Sequence, residues 1–205
     1  MKKCLFFVFV FFVVFPGSIV SGQVPVVINE ILACNGSVVL NETNNYAGYV
    51  ELYNTSASWY NFSGVYLSDD AANLKKWKIL DGIGIAPKGF LLIWCDKLPG
   101  TLHANFKLNP GGEVLFLSGE SSLMIDSVSF SKQMVNVSFG RSTDGDKTWT
   151  YFSKPTPNKT NNTSQGAQVQ LGKVKFRRQG GFFAGNIKLE MSTDDPGTQI
   201  YYTTD

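Results

Sequence analysis

Acidic side chains supply the first candidates for chemistry. Glu30 lies in Val27-Ile28-Asn29-Glu30-Ile31, Glu51 in Val50-Glu51-Leu52, and Asp69-Asp70 closes another apolar run. Paired carboxylates can exchange protons as general acid and base, or hold Ca²⁺ through oxygen ligands. The same positions can equally be a capped strand end and a buried, hydrogen-bonded acid that fixes a loop. Asp144-Gly145-Asp146 starts like a calcium loop, but the third acidic ligand and the twelfth-position Glu of an EF-hand are missing, which leaves a turn. His103 is the only histidine, so chemistry needing two imidazoles is excluded. Together with Cys34 and Cys95 it offers three zinc ligands, yet no CxxC pair or His-x-x-x-His spacing accompanies them. Cys95 follows a strongly apolar run with nothing to stabilise a thiolate, which argues against a cysteine–histidine hydrolase. No Gly-x-Ser-x-Gly elbow, Walker loop or dinucleotide fingerprint occurs. The expectation is a chain without catalytic residues, metal or cofactor.

Aromatic and amide side chains are the other candidates. Trp59, Tyr60, Phe62 and Tyr66 cluster in a polar Asn- and Ser-rich stretch, and aromatic faces stack on sugars or peptides at low entropy cost. They are the candidate ligand contacts, against the alternative that they fill a core. Eight Asn-x-Ser/Thr sequons, at Asn35, Asn41, Asn54, Asn61, Asn136, Asn158, Asn161 and Asn162, are glycan acceptors in a eukaryotic secretory pathway and turn chemistry in a bacterium.

The elements that must position these groups are short. Val26–Leu32, Tyr49–Tyr53, Val65–Leu67, Phe90–Trp94, Val114–Leu117, Met124–Phe130 and Trp149–Phe152 are each bounded by Gly, Asn, Asp, Ser or Pro, the signature of strands in a sandwich or barrel. Alternation in 126–130 turns Val128 and Phe130 to the core, whereas 91–94 is apolar on both faces and must be covered twice. Residues 71–80 read as a long loop with at most one helical turn. A boundary follows Phe152. Residues 154–166 are polar, carry Pro155 and Pro157, and offer nothing to bury, so they read as a linker. Beyond it, Val174–Phe176, Ile187–Ser192 and Ile200–Tyr202 are strands, the last two joined through Asp194-Asp195-Pro196-Gly197. Three strands in about 35 residues cannot fold alone without a metal or bridges, so this second unit reads as incomplete.

Lys2-Lys3, the apolar run Leu5–Phe15 and the small residues ending at Gly22 describe a secretory signal peptide over 1–22, too short to span a bilayer. After cleavage no membrane span is expected. Removing 1–22 takes away two lysines and no acid, leaving cations and acids equal, which excludes an electrostatic nucleic-acid binder. At 43% hydrophobic and 17% charged residues, the chain is too apolar to be disordered. Outside the cytosol, Cys34 and Cys95 either form a bridge across about 60 residues, adding about 3–4 kcal/mol, or remain two small unpaired thiols.

Several segments occur in an order that resembles the lamin-tail domain of exported bacterial proteins. They are Val27–Ile31, Val50–Asn54, Ser63–Asp70, Lys76-Trp77, Gly89–Leu92, Leu102–Leu108, Gly140-Arg141, Asp144-Gly145, Trp149 and Pro155-Thr156-Pro157. The resemblance covers about 23–157 and implies an immunoglobulin-like β-sandwich in which Asn29, Glu30, Glu51, Asn54, Asp69, Trp77, His103, Arg141 and Trp149 belong to the structural motif. Gly180-Gly181-Phe182-Phe183 and Ile200–Asp205 resemble the start of the β module appended to chitobiases. The organisation expected is a signal peptide (1–22), a sandwich (23–157), a linker (158–172) and an incomplete β module (173–205). The function expected is a non-catalytic binding, adhesion or spacer module of a secreted or cell-surface protein, with protein or polysaccharide partners. A carbohydrate-binding module is the alternative. Proteins combining the two modules often continue into a spore-coat-protein-H-like kinase domain, and a third reading makes this chain the leading part of such a protein; none of that domain's residues occur here.

Overall fold

Strands form wherever a short apolar or alternating run is closed by turn residues. A computed structural model describes residues 24–161, 174–178, 180–193 and 200–203. The leader, residues 162–172 of the linker and Lys173 lie outside the described residues. In chain order the strands are β1 (Val26–Leu32), β2 (Tyr49–Asn54), β3 (Tyr60–Asn61), β4 (Tyr66–Ser68), β5 (Trp77–Lys78) and β6 (Gly84–Ile85). They continue with β7 (Phe90–Cys95), β8 (His103–Ala104), β9 (Gly112–Ser118), β10 (Met124–Ser131), β11 (Ser138–Arg141) and β12 (Trp149–Phe152). Sheet order is β12-β11-β1-β2-β7-β8 in one layer and β10-β9-β4-β5 in the other, with β3-β6 as a separate ribbon. All pairings are antiparallel except β7 with β8. The protein is an all-β sandwich.

The core between the layers is aliphatic and aromatic. Ile28, Ile31, Val50, Leu52 and Ile93 of the larger sheet face Leu67, Leu115, Leu117, Val128 and Phe130 of the smaller one. Val128 and Phe130 point inward as their alternation requires. The opposite face of the larger sheet is covered as well. Leu32, Tyr49, Leu92 and Trp94 form a second cluster there under Val38, Val39 and Ala47. Both faces of 92–95 are therefore buried, with Ile93 and Cys95 on the inner face and Leu92 and Trp94 on the outer.

Three features depart from the sequence reading. Residues 71–80 are not one continuous loop, because Trp77–Lys78 pairs with β4. Strand β11, which no long apolar run announces, sits beside β1. Residues 153–161 are not a linker with nothing to bury: Thr156 and Asn161 are 9% and 1% exposed and pack on the outer face of the larger sheet. The first unit therefore extends at least to Asn161 rather than ending at 157.

In the second unit, β13 (Lys175–Phe176) pairs antiparallel with β14 (Met191–Ser192). An Arg177–Glu190 ion pair at 2.6 Å ties the same two segments. Strand geometry is confined to the last two residues of 187–192, and Ile200–Tyr202 is not a strand. The turn expected at 194–197 lies outside the described residues. Phe176, Phe183, Ile187 and Leu189 are exposed and line an open apolar groove.

Candidate functional site

A β-bulge brings the candidate acids together. Between Ile28 and Glu30 the β1–β2 register shifts by one residue, so Glu30 falls directly opposite Glu51 across the strand pair. Directly opposed side chains project from one face, and here that face is the outer one. Both acids are completely buried. The strap 153–161 closes over them. Glu30 accepts from the Thr156 backbone N–H (3.0 and 3.1 Å), the Thr156 hydroxyl (2.7 Å) and the Tyr49 hydroxyl (3.0 Å). Glu51 accepts from the Asn158 N–H (2.6 Å) and Asn29 Nδ2 (3.2 Å). Thus one carboxylate holds two strap donors and a phenol, while its partner holds two donors altogether.

Burial first, and the neighbouring Glu30 carboxylate second, push Glu51 up from 4.5 to about 8. At neutral pH the protonated form of Glu51 is therefore favoured. Burial and the same two acids also raise the Tyr49 hydroxyl well above its ordinary value. Asn29, the bulged residue, donates through Nδ2 to Asp144 as well (3.1 Å) and accepts from the Gly145 N–H (3.2 Å). Gly145 takes a positive φ of 76°, so 144–146 is a turn whose first acid faces inward. Asn161 completes the network, its N–H donating to Asp144 (2.9 Å) and its Nδ2 to the Arg141 carbonyl (2.7 Å). Each oxygen of the pair thus meets donors of the protein's own chain, an arrangement that fixes a strap to a sheet.

Arg141 and Asp126 finish the β1 edge. Beyond Glu30 that edge has no strand neighbour among the described residues, and Ile28 donates its N–H to Asp126 Oδ2 (2.8 Å) and gives its carbonyl to Arg141 Nε (2.7 Å). Arg141 Nη2 meets the same carboxylate at 2.8 Å, and the guanidinium lies 4.8 Å from the Trp149 ring. Asp69 faces the Lys76 ammonium, Asp70 Oδ1 accepts the Ala72 N–H (2.9 Å), and Trp77 packs against the inner core. Asn54 is fully buried, its Nδ2 donating to the Ser58, Ile85 and Ala86 carbonyls.

His103 and Cys95 lie on opposite faces. His103 pairs in register with Trp94 of the outer cluster, while Cys95 points into the inner core, so the two form no dyad. Burial pushes the Cys95 thiol well up, the reverse of nucleophile activation. Cys34 and Cys95 are both free, the second of the two alternatives the sequence leaves open. Among the described residues no cluster of His, Cys, Asp and Glu has the arrangement of a metal site. His103 is instead held between Asp96 and Glu42 beside a cleft lined by Asn45, Tyr46, Leu98 and Lys107. Sequence reasoning missed this array because Glu42 and Asp96 lie 61 and 7 residues away along the chain.

The aromatic candidates separate. Phe62 is fully buried against Tyr60, their rings edge to face at 5.4 Å, and is corrected to a core residue. Tyr60 is half-buried, and Tyr66, also half-buried, donates to Glu120 (2.9 Å). Trp59 alone of the four is open, at 63% exposure. Its indole lies against Gly84 of the facing strand, where a Cβ would come within 2.4 Å of the ring. The sequons separate likewise. The amides of Asn35, Asn41, Asn54 and Asn161 donate inside the fold, whereas Asn61 and Asn158 are exposed. Asn162 lies outside the described residues. Among the described residues no helix is long and apolar enough to cross a membrane. Compared with family models and with curated proteins, the chain matches none.

Proposed function

We propose that residues 24–161 act as a non-catalytic binding module of an exported surface protein, an immunoglobulin-like sandwich of the lamin-tail type that grips a partner through its β3–β6 ribbon. The single observation behind this reading is Trp59. A large aromatic surface is left in water on a two-stranded ribbon and backed by a glycine whose missing side chain makes room for the indole. Supporting it, Glu30, Glu51 and His103 are each occupied by hydrogen bonds within the fold.

A carbohydrate is the second reading, favoured by the hydroxyl and amide residues that flank Trp59 in the sequence: Ser56, Ser58, Asn61 and Ser63. The test is binding to immobilised polysaccharides and to cell-envelope proteins by the intact chain and by Trp59→Ala. Loss of binding at unchanged melting temperature supports the ribbon as the contact. Equal binding by both proteins removes it, and a polysaccharide-only response decides for the second reading.

A further inference from the structure

We propose that residues 41–47 form a proton-operated latch, in which the imidazolium of His103, held between Asp96 and Glu42, fastens this loop over one end of the outer sheet face. The His103 side chain is 1% exposed. Its Nδ1 lies 2.9 and 3.0 Å from the two Asp96 oxygens, and its Nε2 meets Glu42 Oε1. A neutral imidazole has one N–H and an imidazolium has two, so two carboxylates can both be bonded only while the ring is charged. Glu42 is not the source of the second proton, because a backbone hydrogen bond first and His103 second hold its carboxyl below the ordinary range.

The charges facing the ring come from two elements: Asp96 at the end of β7 and Glu42 on the loop. Trp94, opposite in register, carries none, and Lys107 pairs with Asp96 through the backbone. Burial alone would lower the pKa of the ring; the hydrogen bonds to Asp96 and Glu42 outweigh it and hold the ring charged above its usual 6.5. When pH rises through that higher value, one link must break. Asp96 is 10% exposed and also accepts from Asn41 Nδ2 (3.2 Å) and the Leu98 N–H (3.0 Å). Glu42 is 61% exposed and has water to turn to, so its link is the one that breaks, and the loop is left tied to Asp96 through Asn41 alone. Asn41 organises that loop by accepting from the Thr43 and Asn45 N–H groups at 3.0 and 2.9 Å. Ala47, at the end of the loop, packs with Tyr49 and Trp94, and beside the loop lies the Tyr46–Lys107 cleft, which opens when the latch does.

His103 is the only imidazole, so its magnetic resonance signal is unambiguous. In the full chain we expect a titration midpoint above 6.5. We also expect amide protection factors at Thr43 and Asn45, from pulsed hydrogen exchange, to fall about tenfold between pH 6 and pH 9. Glu42→Ala, an exposed change that leaves the sandwich folded by circular dichroism, should bring the midpoint down and leave the loop weakly protected at both pH values. A midpoint at or below 6.5, equal protection at pH 6 and pH 9, or an undiminished fall in Glu42→Ala would each overturn the latch.

Discussion

Glu30 and Glu51 look interchangeable in the sequence, two acids in two apolar strands, yet their surroundings divide them. Replacing Glu30 by Gln puts an NH₂ where Thr156 and Tyr49 donate, leaving donors facing donors in a fully buried site. Glu51 is held protonated by burial and by Glu30, so Gln is a close neutral substitute for it. We expect Glu30→Gln to cost about 2–3 kcal/mol of unfolding free energy and Glu51→Gln less than about 1 kcal/mol, measured by urea denaturation. Equal costs would show that Glu51 is ionised in the fold. Arg141 poses the opposite problem, since Arg141→Leu strands the half-buried Asp126 carboxylate and the Ile28 carbonyl together. A loss of about 3–5 kcal/mol is expected for that change, more than for Asp126→Asn, which keeps an acceptor for the Ile28 N–H.

Strands β1, β2, β7, β9 and β10 were legible because burial on one or both faces writes itself as alternation or as an apolar run. Strand β11 was not. Ser138-Phe139-Gly140-Arg141 has no such run, and Gly140 is there because a Cβ would meet Phe152 at 2.9 Å and the Asn29 carbonyl at 3.1 Å. The bulge at Asn29 left no trace either, since a register shift is a property of two strands and not of one. The strap 153–161 was misread for a related reason: its attachment uses backbone N–H groups and the small side chains of Thr156 and Asn161, which look like loop composition until their partners are known. A strap held by hydrogen bonds is tested by removing one. Thr156→Val keeps the shape and deletes the hydroxyl that lies 2.7 Å from Glu30 and 2.8 Å from Asn161, so protease cleavage within 153–161 should accelerate about tenfold or more while the 49–54 strand stays protected. Simultaneous loss of both would mean that strap and sheet unfold as one unit.

At the scale of the whole molecule the buried ionisable groups act in one direction. Glu51 is raised from 4.5 to about 8, so between those values the folded protein binds a proton that the unfolded chain has released. Stability from this group is therefore complete below about pH 4.5 and is lost as pH rises toward 8, at about 1.4 kcal/mol per pH unit where one proton separates the states. His103, raised above 6.5 by its two carboxylates, adds a loss of the same sign that begins near 6.5 and ends above its folded value. Glu42, lowered and exposed, opposes them only in acid, below the range in question. A surface-charge account with equal cations and acids in the mature chain would instead predict a broad plateau around neutrality. The expected curve is a melting temperature that falls from pH 5 to pH 8 by on the order of 5–10 °C. Glu51→Gln should flatten the stretch from pH 5 to about 6.5, where His103 does not yet contribute, and leave the decline beyond it. A wild-type profile already flat below pH 6.5 would mean that Glu51 is ionised in the folded state and that the strap donors, rather than burial, decide its charge.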